Sequence, residues 1–177
     1  MTVFFKAENA MLTDYCRYLF PQEEEGGPNV VNGRAIFGRM LIGSCRICEA
    51  QPAKPNGDNV IQLRFGESHG TQRFRDKFLF FTSGDMAALN LALKAVFDLD
   101  LNTYYQYATA LGFEKKDIID AFIVSRGLST HDPGDALHKR IYRREQKKHQ
   151  QLSALLLRKV KYINEALDTS GLKMELL

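Results

Sequence analysis

The stretch from Val60 to Phe81, VIQLRFGESHGTQRFRDKFLFF, decides the fold class. In VIQLRF, Ile61, Leu63 and Phe65 fall on one side of an extended chain, with Gln62 and Arg64 on the other. After the GESHGTQ loop, RFRDKFLFF alternates again. Phe74, Phe78 and Phe80 share one parity, and Arg73, Arg75 and Lys77 share the opposite one. The two segments are expected to pair as an antiparallel hairpin, apolar side on the core and basic side in water. Cations on a strand also guard an edge against aggregation, so the ribbon has two readings.

Upstream, Leu12, Tyr15, Cys16 and Leu19 recur at helical spacing, which predicts an amphipathic helix over 8–20 stopped by Pro21. QEEEGGP follows as a solvated loop. Asn32-Gly33 marks a turn after a short strand. Ile36, Phe37, Met40, Leu41, Ile47 and Cys48 then fit a buried helix interrupted by Gly38 and Gly43. Each glycine costs about 1 kcal/mol of helix propensity against Ala. AQPAKPNGDN reads as a loop.

Downstream the pattern is helical. Thr82 and Asp85 form a capping box ahead of a stripe of Met86, Leu89, Leu93 and Val96. Asn102 is placed to cap a separate helix through Leu111, ended by Gly112. The next helix, 114–126, carries Ile118, Ile119, Phe122 and Ile123 and stops at Gly127. LSTHDPG is a turn in which Asp132 caps and Pro133 suits a first helical position. A long helix from Gly134 to near Leu167 would measure roughly 50 Å.

The expected fold is therefore α+β and mostly helical: a small antiparallel hairpin on a helical bundle, a C-terminal tri-helical part resembling a helix-turn-helix, and a long basic last helix. Residues 1–100 form the α+β body and 101–177 the helical basic region, whether as two domains or one. The chain has 177 residues, 45% of them apolar and 25% charged, which suits a globular protein. Three cysteines do not make a disulfide framework. The first residues show no basic n-region with an apolar core, and no apolar run approaches the roughly 18 residues of a membrane span. A cytoplasmic protein without a membrane contact is the expectation.

Motifs for catalysis are weak. GRAIFGRM, Gly33 to Met40, has the glycine spacing of a phosphate loop, but Arg39 and Met40 stand where Lys and a hydroxyl are needed. Cys45 and Cys48 form an isolated C-x-x-C. The other ligand candidates, Cys16 and His69, are more than twenty residues away, so two buried thiols on one helix face are expected rather than a metal. His138 is followed by Ile141 where a tyrosine recombinase would place Arg. The carboxylates of DLD (98–100) suit helix ends better than a metal pair. Neither a cofactor nor an enzyme activity is expected.

The charge is uneven. From His138 to Lys161 nine Lys/Arg stand against Glu145 alone, leaving 15 basic and 20 acidic residues elsewhere. Within LHKRIYRREQKKHQQ, Leu137 to Gln151, six cations surround that one acid, and RREQKKHQQ contains no apolar residue. Ordinary surface helices interleave acids at i±4. A polar, cationic helix between anchored ends suits a phosphate-lined groove instead. The expected contacts are Lys139, Arg140, Arg143, Arg144, Lys147 and Lys148 in the helix 135–151, with Arg73, Arg75 and Lys77 of the hairpin as a second surface. The expected function is non-enzymatic nucleic-acid binding, DNA ahead of RNA. The rival is an interaction module that dimerises through Leu152, Leu156, Val160 and Ile163, a stripe of little more than two heptads.

Overall fold

The computed structural model describes residues 1–68 and 70–129, and beyond them Lys147, Gln151, Leu155 and Arg158. The chain divides into two compact units, 1–131 and 132–177. The first is α+β.

Its strands are β1 (Thr2–Lys6), β2 (Asn29–Val31), β3 (Arg46–Cys48), β4 (Val60–Phe65) and β5 (Phe78–Phe80). The helices are α1 (Ala10–Leu19), α2 (Ile36–Ser44), α3 (Ser83–Ala110) and α4 (Lys115–Ser125), with a short 3-10 turn at Gln72–Phe74. β4 lies between β1, antiparallel to it, and β2, parallel to it. The register aligns Val3, Leu63 and Asn29 in one row, with Phe5 beside Ile61 and Val31 beside Phe65. All of these face the core. The alternating neighbours Thr2, Phe4, Val30, Gln62 and Arg64 therefore form the outer face of the sheet. Asn29 is the one polar side chain in that inner row, and its Nδ2 donates to the carbonyl of Phe20 at 2.6 Å. The buried amide is thereby satisfied.

α1 matches the expected helix. Asn9 caps it by accepting from the amide of Leu12 at 2.9 Å, and Leu12, Tyr15 and Cys16 are buried. Phe5 meets Phe37 and Phe81 edge to face, with centroids 6.1 and 6.4 Å apart. Tyr15, Phe97 and Phe122 continue the aromatic core between α1, α3 and α4. Thr82 and Asp85 do form the capping box of α3. α4 ends as expected: Gly127 takes φ +61°, while Leu128 donates to the carbonyl of Ile123 at 3.0 Å. That left-handed turn is one a glycine adopts without strain.

Three expectations are corrected. First, β4 and β5 do not form a hairpin. β4 pairs with β1 and β2, whereas β5 pairs antiparallel with β3. The 3-10 turn and Asp76, at φ +57°, interrupt RFRDKFLFF and shift its parity. Leu79 and Phe81 are buried while Phe78 is 45% exposed. Second, α2 stops at Ser44, so Ile47 and Cys48 belong to β3 and not to a helix. Third, α3 runs unbroken through Asn102, because Leu89, Leu93, Phe97, Leu101 and Tyr105 make one continuous buried row. The expected helix 102–111 is thus the end of α3 and not a separate element, and the third member of the tri-helical unit lies outside the described residues. The turn at 130–134 lies outside the described residues, as does most of the long basic helix. The four residues described there are helical and exposed.

Candidate nucleic-acid interface

Of the expected contacts in 135–151, Lys139, Arg140, Arg143, Arg144 and Lys148 lie outside the described residues. Lys147 is helical and exposed, as are Gln151, Leu155 and Arg158. Leu152, Leu156, Val160 and Ile163, the expected dimer stripe, also lie outside the described residues.

The three cations of the expected ribbon separate. Arg73 sits in the 3-10 turn, where its Nη2 donates to the carbonyl of Ile42 at 3.1 Å and its guanidinium lies 4.6 Å from the centroid of Phe74. That side chain is engaged in holding the turn against the end of α2. Arg75 and Lys77 flank Asp76, and make no ion pair or side-chain hydrogen bond with any described residue. They face an open cleft of about 890 Å³ on the outer side of the three-stranded sheet.

The same cleft contains Arg64, Phe4 and Phe78. Strand geometry explains the grouping. Arg64 of β4 pairs with Thr2 of β1 and Val30 of β2, so it projects from the outer face, with Phe4 beside it on β1. The reversal at Asp76 then delivers Arg75, Lys77 and Phe78 to the rim. Glu23, Glu67 and Asp76 also line the cleft, giving three carboxylates against three cations. Arg64 is paired with Glu23. The arrangement can stack a planar group on the phenylalanines and direct an anion towards Arg75 and Lys77. It does not create a strong positive field. Arg64 and Phe4 were absent from the sequence-based site, since only the pairing of β1 with a strand nearly sixty residues later brings them together.

Other chemistry is sparse. Cys45 caps α2 in extended backbone and Cys48 ends β3. Three extended residues separate their Cα atoms by roughly 10 Å, beyond the reach of a disulfide without backbone movement. The pair is thus not a helical i, i+3 face. Burial pushes the Cys45 thiol up to about 12, and Cys16 likewise. Both remain protonated at neutral pH and are poor nucleophiles. Among the described residues no group of three or more His, Cys, Asp or Glu side chains is placed to hold a metal ion. No described helix is long and apolar enough to cross a membrane.

Among the described residues Tyr15 is the most perturbed phenol. Burial, then the charge of Asp100 and a hydrogen bond to it at 3.2 Å, raise its pKa well above the ordinary value. The ring is packed against Phe97 and the hydroxyl is tied to Asp100, which fits a structural hydrogen bond better than a nucleophile. No protein-family model, curated protein or solved structure matches the chain.

Proposed function

We propose that the chain is a non-enzymatic nucleic-acid-binding protein, favouring duplex DNA over RNA, that contacts phosphates through the cations of 135–151. The observation that carries this reading is the charge asymmetry: nine Lys/Arg to one Glu from His138 to Lys161, in a chain otherwise net acidic. Helical, exposed Lys147 and Arg158 support it, because cations on a solvent-facing helix can track a phosphate backbone. The cleft bordered by Arg75, Lys77 and Phe78 is a secondary contact, one whose balanced charge suits a smaller share of the affinity than the basic segment supplies.

The test is fluorescence polarisation with random duplex and single-stranded probes across several salt concentrations. If four to six phosphates are contacted, log K falls with log salt at a slope of about −4 to −5. Arg143→Glu with Arg144→Glu abolishes binding and leaves the circular dichroism unchanged. A flat salt dependence, or no binding at about 50 mM salt, overturns the proposal.

A second reading is an assembly module using Leu152, Leu156, Val160 and Ile163, supported by the alternating four and three spacing of Leu156, Val160, Ile163 and Leu167 in the sequence.

A further inference from the structure

The outer face of the three-stranded sheet carries side chains of three complementary kinds. Phe4 stands opposite Gln62 in the register of β1 and β4, and Thr2 stands opposite Arg64. Opposed residues have their Cβ atoms about 5 Å apart, and the next rung of the same face lies roughly 7 Å along the strands. An aromatic ring thus has an amide beside it and a guanidinium one rung away. None of the four is buried: Thr2 and Gln62 are exposed, Phe4 and Arg64 half-buried. Gln62 makes no side-chain hydrogen bond with any described residue, while Arg64 is held by Glu23.

Two hollows meet on this face, and Phe4 lines both. The larger, the cleft of about 890 Å³, adds Phe78, Arg75 and Lys77. The smaller, about 150 Å³, adds Gln62, Arg17 and Lys54, and no carboxylate among the described residues lines it. Over the two together five cations, Arg17, Lys54, Arg64, Arg75 and Lys77, face three carboxylates, Glu23, Glu67 and Asp76. An excess of two is small for holding a duplex by its phosphates. The rings point to a different ligand. In a duplex the faces of the bases are covered by their neighbours, so a surface phenyl ring stacks only on an unpaired base.

We propose that this sheet face binds unpaired bases of a single-stranded nucleic acid. Phe4 and Phe78 each stack a base, and Gln62 hydrogen-bonds to the edge of the base on Phe4. Lys54, Arg75 and Lys77, which have no ion pair with a described residue, meet the flanking phosphates. The proposal rests on the nucleic-acid reading for the class of ligand, but uses none of the cations of 135–151.

The experiment measures fluorescence polarisation of labelled single strands of about 10 nucleotides with the full chain. One probe is oligothymidine. The other is abasic throughout, with the same phosphates and no bases. The thymidine strand is expected to bind roughly tenfold tighter or more. Phe4→Leu and Phe78→Leu keep the apolar bulk and the wild-type circular dichroism, and each weakens thymidine-strand binding by roughly tenfold with the salt slope unchanged. Phe113→Leu, at a ring 59% exposed outside this face, leaves binding as it was. The same two probes made with ribose show which sugar is preferred, and a preference for bases over abasic sites in either set supports the proposal. Equal binding of base-bearing and abasic strands overturns it, as does thymidine-strand affinity that survives both phenylalanine changes. If the duplex still binds with a steep salt slope in those cases, only the sheet proposal falls. If the preference for bases and its loss in the phenylalanine variants are found without duplex binding, the sheet proposal stands and the basic-segment reading falls.

Discussion

Arg126 forks onto Asp100, with its Nε 3.0 Å from one carboxylate oxygen and its Nη2 3.1 Å from the other. The pair ties the end of α4 to the middle of α3, and Tyr15 of α1 donates to the same carboxylate. The guanidinium also lies 4.7 Å from the centroid of Tyr18 and 5.3 Å from that of Phe122. With the side chains only 18% and 27% exposed, the fork is partly shielded from water. Arg126→Ala is expected to lower stability by about 2–3 kcal/mol, the sum of a charge-assisted fork and a modest cation–π contribution. Arg126→Lys keeps the charge and loses the fork, so it recovers less than half. Urea midpoints at unchanged m-value measure both. Equal stability of all three proteins would mean that α4 is held by its apolar contacts alone.

The two glycines of α2 should respond in opposite directions. A Cβ on Gly38 would lie 2.0 Å from the carbonyl oxygen of Asn32 and 2.9 Å from its carbon. Both are backbone atoms of the turn after β2, so the strand or the helix must shift. Gly38→Ala is expected to destabilise by about 2 kcal/mol or more. Gly43 meets nothing within 4 Å. Gly43→Ala is expected to stabilise by a few tenths to about 1 kcal/mol through helix propensity alone. Thermal melts of the two variants check the sign. Helix propensity treats the positions alike, and only the packing of α2 on the β2 turn separates them.

Asp85 gives the fold an acid-sensitive contact. Hydrogen bonds from Arg46 first, and from Thr82 next, hold its carboxyl at about 2, below the usual carboxylate range. In the unfolded chain the group returns to near 4. Between these values the unfolded state binds a proton that the folded state does not, so stability falls as pH falls. The contribution is complete above about pH 4 and gone below about pH 2. Asp85→Asn lacks it at every pH. The difference in melting temperature between wild type and variant should therefore shrink steadily across that window, and stay constant from about pH 5 to 7. A difference that persists at the acid end would assign the effect to capping geometry instead of charge.

How much was legible follows from the length of each signal. β4 has six alternating residues, and its inner members Ile61, Leu63 and Phe65 are the ones buried. α1 and α4 each carry an apolar stripe with a stop at its C-terminal end, Pro21 and Gly127, and both lie where expected within two residues. Strands of three residues, such as β3 and β5, are too short for alternation to establish their phase. The single left-handed Asp76 then reverses which phenylalanines point inward. Asn102 looks like a cap in isolation, yet Leu101 and Tyr105 continue the core row of α3 past it. The candidate site divides similarly. A run of cations is visible in composition, whereas the meeting of Phe4, Arg64 and Lys77 depends on strand pairings that no local pattern encodes.

The cleft can be separated from the basic segment by what each does to the salt dependence. Arg75 and Lys77 have no ionic partner among the described residues, and under the proposed function they are the cations of the cleft that would meet a phosphate. Arg75→Ala with Lys77→Ala is expected to weaken binding by roughly tenfold and to make the salt slope shallower by about 1 to 2 units. Phe78, 45% exposed at the same rim, carries no charge. Phe78→Ala should lower affinity for single strands by about one to three kcal/mol, as is typical of a stacked base, with the slope unchanged. Arg73 supplies the control. Its guanidinium is held by the Ile42 carbonyl and the Phe74 ring, so Arg73→Ala should lower the melting temperature and leave the slope as it was. The pattern across the three variants decides the matter. If the Arg75 and Lys77 changes alter neither slope nor affinity while Arg143→Glu with Arg144→Glu abolishes binding, the cleft is not part of the nucleic-acid surface. Its cations then serve only to balance Glu23, Glu67 and Asp76 across the outer face of the sheet.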